Sequence, residues 1–171
     1  IQSSSGPLDT LQLLNNRIIN FTGSGIFLND SGIDITINQN VVDGSAQTGG
    51  GGIIHLDQDN FDGLHFTSND VLNGSTGFFV DGNHNVGASV SRNPLFDGNR
   101  FEGNGAGANF GRFAVESATV SNNQFINNLF DGLQGGIQNS LISANTFDGN
   151  DRAGIRLTGF GGTGDSTRGA Q

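Results

Sequence analysis

The sequence predicts an all-β fold, a parallel β-solenoid of about six rungs, on three observations. Turn-forming residues dominate: the 171 residues include 29 Gly, 22 Asn and 14 Asp, with only two Pro. Apolar residues alternate over short segments bounded by Gly, Asn or Asp, which is the pattern of strands between tight turns. An Asn-centred motif returns about every two dozen residues, the mark of stacked repeats that bury one continuous core. No stretch shows a capped helical period.

The first motif reads apolar, any, apolar, two residues, Asn, any, apolar. It opens at Leu11, Leu13, Asn16, Ile18 and repeats at Ile35, Ile37, Asn40, Val42 and at Leu64, Phe66, Asn69, Val71. Two frames then compete: Ala88, Val90, Asn93, Leu95, and Pro94, Phe96, Asn99, Phe101. The Asn93 frame is preferred. The series resumes at Ala118, Val120, Asn123, Phe125 and closes, in weaker form, at Ser140, Ile142, Asn145, Phe147. The steps from Asn to Asn are then 24, 29, 24, 30 and 22 residues.

A second motif follows each first one, a Gly and then alternating apolar positions. It reads Gly25-Ile26-Phe27-Leu28, Gly52-Ile53-Ile54-His55-Leu56, Gly77-Phe78-Phe79-Val80, Gly111-Arg112-Phe113-Ala114-Val115, Gly136-Ile137 and Gly154-Ile155-Arg156-Leu157. In such a stack each inward side chain meets its counterpart one rung away, about 4.8 Å off. Ile26/Leu28, Ile54/Leu56, Phe78/Val80, Phe113/Val115 and Ile155/Leu157 make one inner column pair. Ile18, Val42, Val71, Leu95, Phe125 and Phe147 make another. The recurring Asn is assigned to a corner, where left-handed backbone is tolerated and its amide can bond locally or to the next rung. Asp43 to Gly52 and Phe96 to Gly111 read as longer loops of ordinary length variation. Residues 1–10 read as a loose lead, 11–159 as the solenoid and 160–171 as a Gly/Ser/Thr-rich tail. Neither end rung shows a polar cap, so the stretch is expected to be cut from a longer solenoid.

Composition narrows the function. Seven Arg and no Lys stand against 16 acidic residues, for a net charge of -9. A nucleic-acid partner needs a basic footprint, and this balance argues against one. Without Cys there is neither a disulfide framework nor a thiol nucleophile. No apolar run is long enough for a helical membrane span.

Val120-Ser121-Asn122-Asn123-Gln124-Phe125-Ile126-Asn127-Asn128 followed by Gly135-Gly136-Ile137 is the clearest repeat copy. These repeats resemble the right-handed parallel β-helix, pectin-lyase-like superfamily, over about Leu11 to Gly159. Phe101-Glu102-Gly103-Asn104, Phe125 to Asn128 and Phe147-Asp148-Gly149-Asn150 are similar to a short element of bacterial autotransporter passengers. The resemblance implies a right-handed coil. It says little about activity, since one fold hosts many functions.

The outward positions of the second motif are Phe27/Asn29, His55/Asp57, Phe79/Asp81 and Ala114/Glu116, continuing as Gln138/Ser140 and Arg156/Thr158. This places Asn29, Asp57, Asp81 and Glu116 in one column with His55 beside it. Three readings stay open for it. It is a solvated acidic face, a Ca²⁺ site that relieves stacked carboxylates, or an acid–base set of Asp57, Asp81, Glu116 and His55 around a glycosidic bond. Phe27, Phe79 and His55 offer ring faces to a sugar or a protein. Asp57, Asp59 and Asp62 form the acidic run best suited to Ca²⁺, though without EF-hand order. The resemblance to polysaccharide lyases implies an Arg or Lys base beside Ca²⁺-binding carboxylates. Lys is absent here, and Arg112 and Arg156 are the only Arg in these strands. The galacturonase and alginate-epimerase motifs are missing too, which weighs against an enzyme.

His65 reads as a surface residue, and His84 lies in a polar turn near Asp81. The expected role is a structural or adhesive segment of a secreted or surface protein, with a carbohydrate-active domain as the alternative. No cofactor is required. The expected partners are neighbouring rungs, a flanking domain or a second copy over the ends, and a polysaccharide or cell-surface protein on the face.

Overall fold

The computed structural model describes residues 8–29, 32–48, 51–57, 61–81, 91–111 and 115–158. The chain coils through six rungs, and every strand pairs in parallel with its counterpart one rung away. Three six-stranded sheets run the length of the coil. The first holds Gln12–Leu14, Thr36–Asn38, His65–Thr67, Leu95–Asp97, Thr119–Ser121 and Leu141–Ser143. The second holds Arg17–Ile19, Val41–Asp43, Asp70–Leu72, Arg100–Glu102, Gln124–Ile126 and Thr146–Asp148. The third holds Ile26–Asn29, Gly52–Asp57, Thr76–Asp81, Ala106–Asn109, Leu133–Gly135 and Ile155–Leu157. A narrow fourth face carries Gly32–Ile33 paired with Phe61–Asp62, and Ser91–Arg92, Val115–Glu116 and Ile137–Gln138 paired in turn.

One residue turns each corner between the first and second sheets. Asn15, Gln39, Ser68, Gly98, Asn122 and Ala144 all have φ between 54° and 66°. The ladder Asn comes immediately after and is not left-handed, which corrects the expected corner assignment. Its task is hydrogen bonding. Asn40 Oδ1 accepts the amides of Asn16, Asn69 Oδ1 those of Asn40, and the series continues through Asn99, Asn123 and Asn145. Each Nδ2 from Asn40 onward also donates back to a carbonyl of the previous rung, as Asn99 does to Phe66 at 2.8 Å. Backbone amides that point into the core are satisfied this way, where an orphan would cost about 1–3 kcal/mol.

The ladder settles the competing frames in favour of Asn99, with steps of 24, 29, 30, 24 and 22 residues. Asn93 instead turns the corner before the first sheet, with φ 54°, in line with Asp34, Gly63, Ser117 and Asn139. The reason lies in the flanking side chains. The Asn99 frame sends Phe96 and Phe101 inward, where they are 2% and 0% exposed, and two buried aromatics outweigh the Leu95 of the other frame. Leu95 faces outward, half-buried, in register with His65 and Thr119.

It follows that Phe96 to Gly111 is no loop. It supplies three strands of the fourth rung, and Ala106 and Ala108 occupy the inner positions expected of Phe113 and Val115. Phe113 lies outside the described residues, and Val115 is buried under the fourth face. Small side chains at 106 and 108 leave room for Phe78, Phe96 and Phe110, whose rings meet at 4.9–6.0 Å. Lower in the same core Phe101, Phe125 and Phe147 stack nearly parallel at 4.9 and 4.8 Å. The loop after Asp43 is tied down by Gln47, whose side chain donates to Gly23 O and accepts from the Ser75 amide. It therefore clasps rungs on either side of its own.

A second ladder, not anticipated from the Asn-centred motif, turns the corner between the second and third sheets. Asn104 Oδ1 accepts from Gly74 N, Asn128 Oδ1 from Asn104 N, and Asn150 Oδ1 from Asn128 N. The Phe-x-x-Asn element thus couples an inner aromatic to a corner amide.

Candidate functional site

The outer face of the third sheet carries one row of side chains in unbroken register: Phe27, His55, Phe79, Asn109, Gln134 and Arg156. Alternation along each strand puts them outward, because Ile26, Leu28, Ile54, Leu56, Phe78, Ala108 and Leu133 beside them are buried. The row divides into an aromatic half and a polar half.

In the aromatic half the structure brings Phe27, His55 and Phe79 together. The imidazole centroid lies 5.1 Å from the Phe27 ring, edge-on, and 5.0 Å from the Phe79 ring, tilted. All three are half-buried. Such a ribbon presents apolar ring faces to solvent without exposing whole side chains.

Beside it Asn29, Asp57 and Asp81 continue in register at the strand ends. The expected fourth member, Glu116, is elsewhere, and this corrects the column read from the sequence. The fourth rung fills its third-sheet position with Ala106–Asn109, so Val115–Glu116 falls on the fourth face. There Arg92 stands between Asp62 and Glu116, at 3.8 and 3.9 Å, and Asp62 Oδ1 accepts the Arg92 amide at 2.7 Å. Gln138 is also on the fourth face, beyond Glu116, while Ser140 is buried and accepts the Ala118 amide. Asp59, His84, Arg112 and Ala114 lie outside the described residues. Among the described residues no three His, Asp or Glu side chains gather where they could hold a metal ion.

The polar half was only partly foreseen. Asn109, Gln134 and Arg156 rim a concavity of about 280 Å³ together with Gly111, Gly135 and Thr158. Arg156 donates from Nε to Asp131 Oδ2 at 2.7 Å and from Nη2 to Gln134 Oε1. Asp131 is fully buried, and Asn109 Oδ1 accepts the Gly111 amide at 2.9 Å. Asp131 precedes Leu133–Gly135 in a corner, where its sequence reads as one more turn Asp-Gly. No periodic signal separates it from the solvated ones.

His65 is exposed on the first sheet, lining a smaller hollow of about 200 Å³ with Asp34, Thr36 and Gly63. Two other carboxylates are shifted. The Ser121 hydroxyl and the Asn122 amide hold Asp97 below the usual carboxylate range. The Ser45 hydroxyl, joined by the Asn73 amide, does the same for Asp43 against a smaller opposing effect of burial.

The model of a family described as "Right handed beta helix region" matches residues 51–167. No curated protein and no solved structure matches the chain.

Proposed function

The chain belongs to the right-handed β-helix family, and on that premise we propose that it is a structural and adhesive segment of a secreted or surface-displayed protein, held outside the cell. The carrying observation is the outward row of the third sheet, six side chains in unbroken register from Phe27 to Arg156. A solenoid is stiff because each rung is bonded to the next along its whole length, so it can hold such a row straight toward an extended partner. A polysaccharide or a cell-surface protein fits that shape, and neighbouring rungs, a flanking domain or a second copy would cover the coil's ends. Neither role needs a cofactor. A Ca²⁺ ion near Asp57, Asp59 and Asp62 would act as a staple, raising the melting temperature in millimolar Ca²⁺ and lowering it in chelator. Binding to surfaces coated with polysaccharide or cell-surface protein tests the adhesive reading. The pair Phe27→Ser and Phe79→Ser should weaken capture about tenfold while the circular dichroism spectrum holds, and unchanged capture would sink the reading.

A carbohydrate-active enzyme is the second reading, favoured by one observation. Asp57 and Asp81 are Cα partners on adjacent strands, next to His55. Strands lie about 4.8 Å apart, near the roughly 5 Å between the carboxyl groups of retaining glycosidases. Turnover on a polysaccharide panel, abolished by Asp81→Asn or Asp57→Asn, would establish it over the adhesive one.

A further inference from the structure

The polar half of the row has a chemistry that selects among ligands. Three of its side-chain acceptors are engaged: Gln134 Oε1 and Asp131 Oδ2 by Arg156, Asn109 Oδ1 by the Gly111 amide, while Asp131 Oδ1 is buried away from any ligand. The lining side chains keep donors to offer, namely Asn109 Nδ2, Gln134 Nε2 and the remaining guanidinium hydrogens of Arg156, with the Thr158 hydroxyl able to give or accept. A ligand there must bring acceptor oxygens.

Charge decides which acceptors. Among the described residues Arg156 is the cation lining the hollow, and Asp131 opposes it at 2.7 Å from a position that is 0% exposed. The buried carboxylate sits in direct contact with the guanidinium and offsets its positive charge. An anionic group entering the hollow therefore meets a guanidinium already paired with a carboxylate, on a chain whose own net charge is -9. A neutral group bearing several oxygens does not depend on that charge.

Two of the lining residues are glycines. Gly111 and Gly135 have φ of +58° and +129°, and a Cβ at Gly135 would lie 2.9 Å from Phe110 N. The neighbouring rung's backbone thus holds Gly135 to glycine, and neither position adds a side chain to the hollow. Phe79 stands in register with Asn109, so a chain of rings could leave the hollow and lie on an aromatic face.

We propose that Asn109, Gln134 and Arg156 form a subsite for a neutral sugar of a linear glycan, and that the buried Asp131 sets the preference for neutral over acidic sugars by neutralising Arg156. This rests on the reading of the third-sheet face as a glycan-binding surface. Asp131 is a positioning and charge-setting residue; the three others touch the ligand.

The test compares neutral hexose trisaccharides with uronic-acid trisaccharides of the same linkage, by NMR titration of the Asn109 and Gln134 side-chain amides. The wild-type protein should bind the neutral series at least tenfold more tightly. Asp131→Asn keeps an acceptor for Arg156 but frees its charge, and should shift the ratio at least tenfold toward the uronic series. If Asp131→Asn does not fold, Arg156→Gln serves instead: neutral binding should weaken only a few-fold and uronic binding stay poor. Uronic sugars binding as well as neutral ones to the wild type, a ratio unmoved by Asp131→Asn, or uronic binding that falls in Arg156→Gln would each overturn the charge assignment. If no sugar of either series binds, the glycan reading fails as well, and the two failures are thereby told apart.

Discussion

Asn99 and Asn145 hold the same corner of the same ladder, two rungs apart, in different surroundings. Asn99 is 1% exposed, and its side chain accepts two bonds from Asn69 and gives two, to Phe66 O and Asn123 Oδ1. Asn145 is half-exposed. It accepts from Asn123 and gives to Val120 O, but among the described residues nothing continues the ladder beyond it. The aromatic column repeats the contrast. Phe101 is fully buried between Phe66 and Phe125, whereas Phe147 stacks on Phe125 alone among the described rings and is half-exposed. Ile155, an inward residue by register with the fully buried Leu133, is 42% exposed. In a stack an inner rung gains an interface term from each of two neighbours and an end rung from one, so identical residues differ in worth by position.

The largest effect should come from the aromatic column. Phe101→Ala is expected to cost about 3–5 kcal/mol and Phe147→Ala only about 1–2 kcal/mol, by urea unfolding. Equal losses would break the comparison, since they would mean that the sixth rung is covered in solution. Asn99→Ala strands the buried Asn69 amide and should cost about 2–4 kcal/mol, against about 1 kcal/mol for Asn145→Ala. Next comes backbone approach between rungs. A Cβ at Gly107 would lie 2.4 Å from Gly132 O, while one at Gly23 meets nothing within 4 Å. Gly107→Ala should cost about 1–3 kcal/mol, and Gly23→Ala should leave the melting temperature close to wild type.

The smallest effect is acid sensitivity. Asp97 and Asp43 have pKa values lowered from 3.8 in the folded chain. Each carboxylate therefore adds stability that is fully present above that value and is lost as the pH falls toward the folded pKa. Asp97→Asn should flatten the fall of melting temperature between pH 4 and pH 2. A slope identical to wild type would show that its bonds from Ser121 and Asn122 matter little.

Much of this was legible because a solenoid writes its structure along the chain. Asn16, Asn40, Asn69, Asn123 and Asn145 were read in phase, as were the inner columns of the first three rungs. The misreading fell on the fourth rung. Gly111 to Val115 imitates the second motif better than the true strand Ala106–Asn109, whose alanines look unlike a core segment. Only the volume of Phe78, Phe96 and Phe110 explains why alanine belongs there. That slip carried Glu116 into a column that it does not join. Arg156 reads as outward from its strand, but its pairing with Asp131 is not legible: the two are 25 residues apart, and the motif records apolar phase, with no term for which turn Asp is buried.

The sequence by itself determined the architecture: a parallel coil of about six rungs and most of its inner residues, because repetition makes each rung's local preferences agree with its neighbours'. Tertiary structure decided the frame at Asn99, the removal of Glu116 from the third-sheet face and the pairing of Asp131 with Arg156. Those outcomes turn on side-chain volume and on which groups meet across rungs. Both are properties of the stacked whole that no single repeat contains.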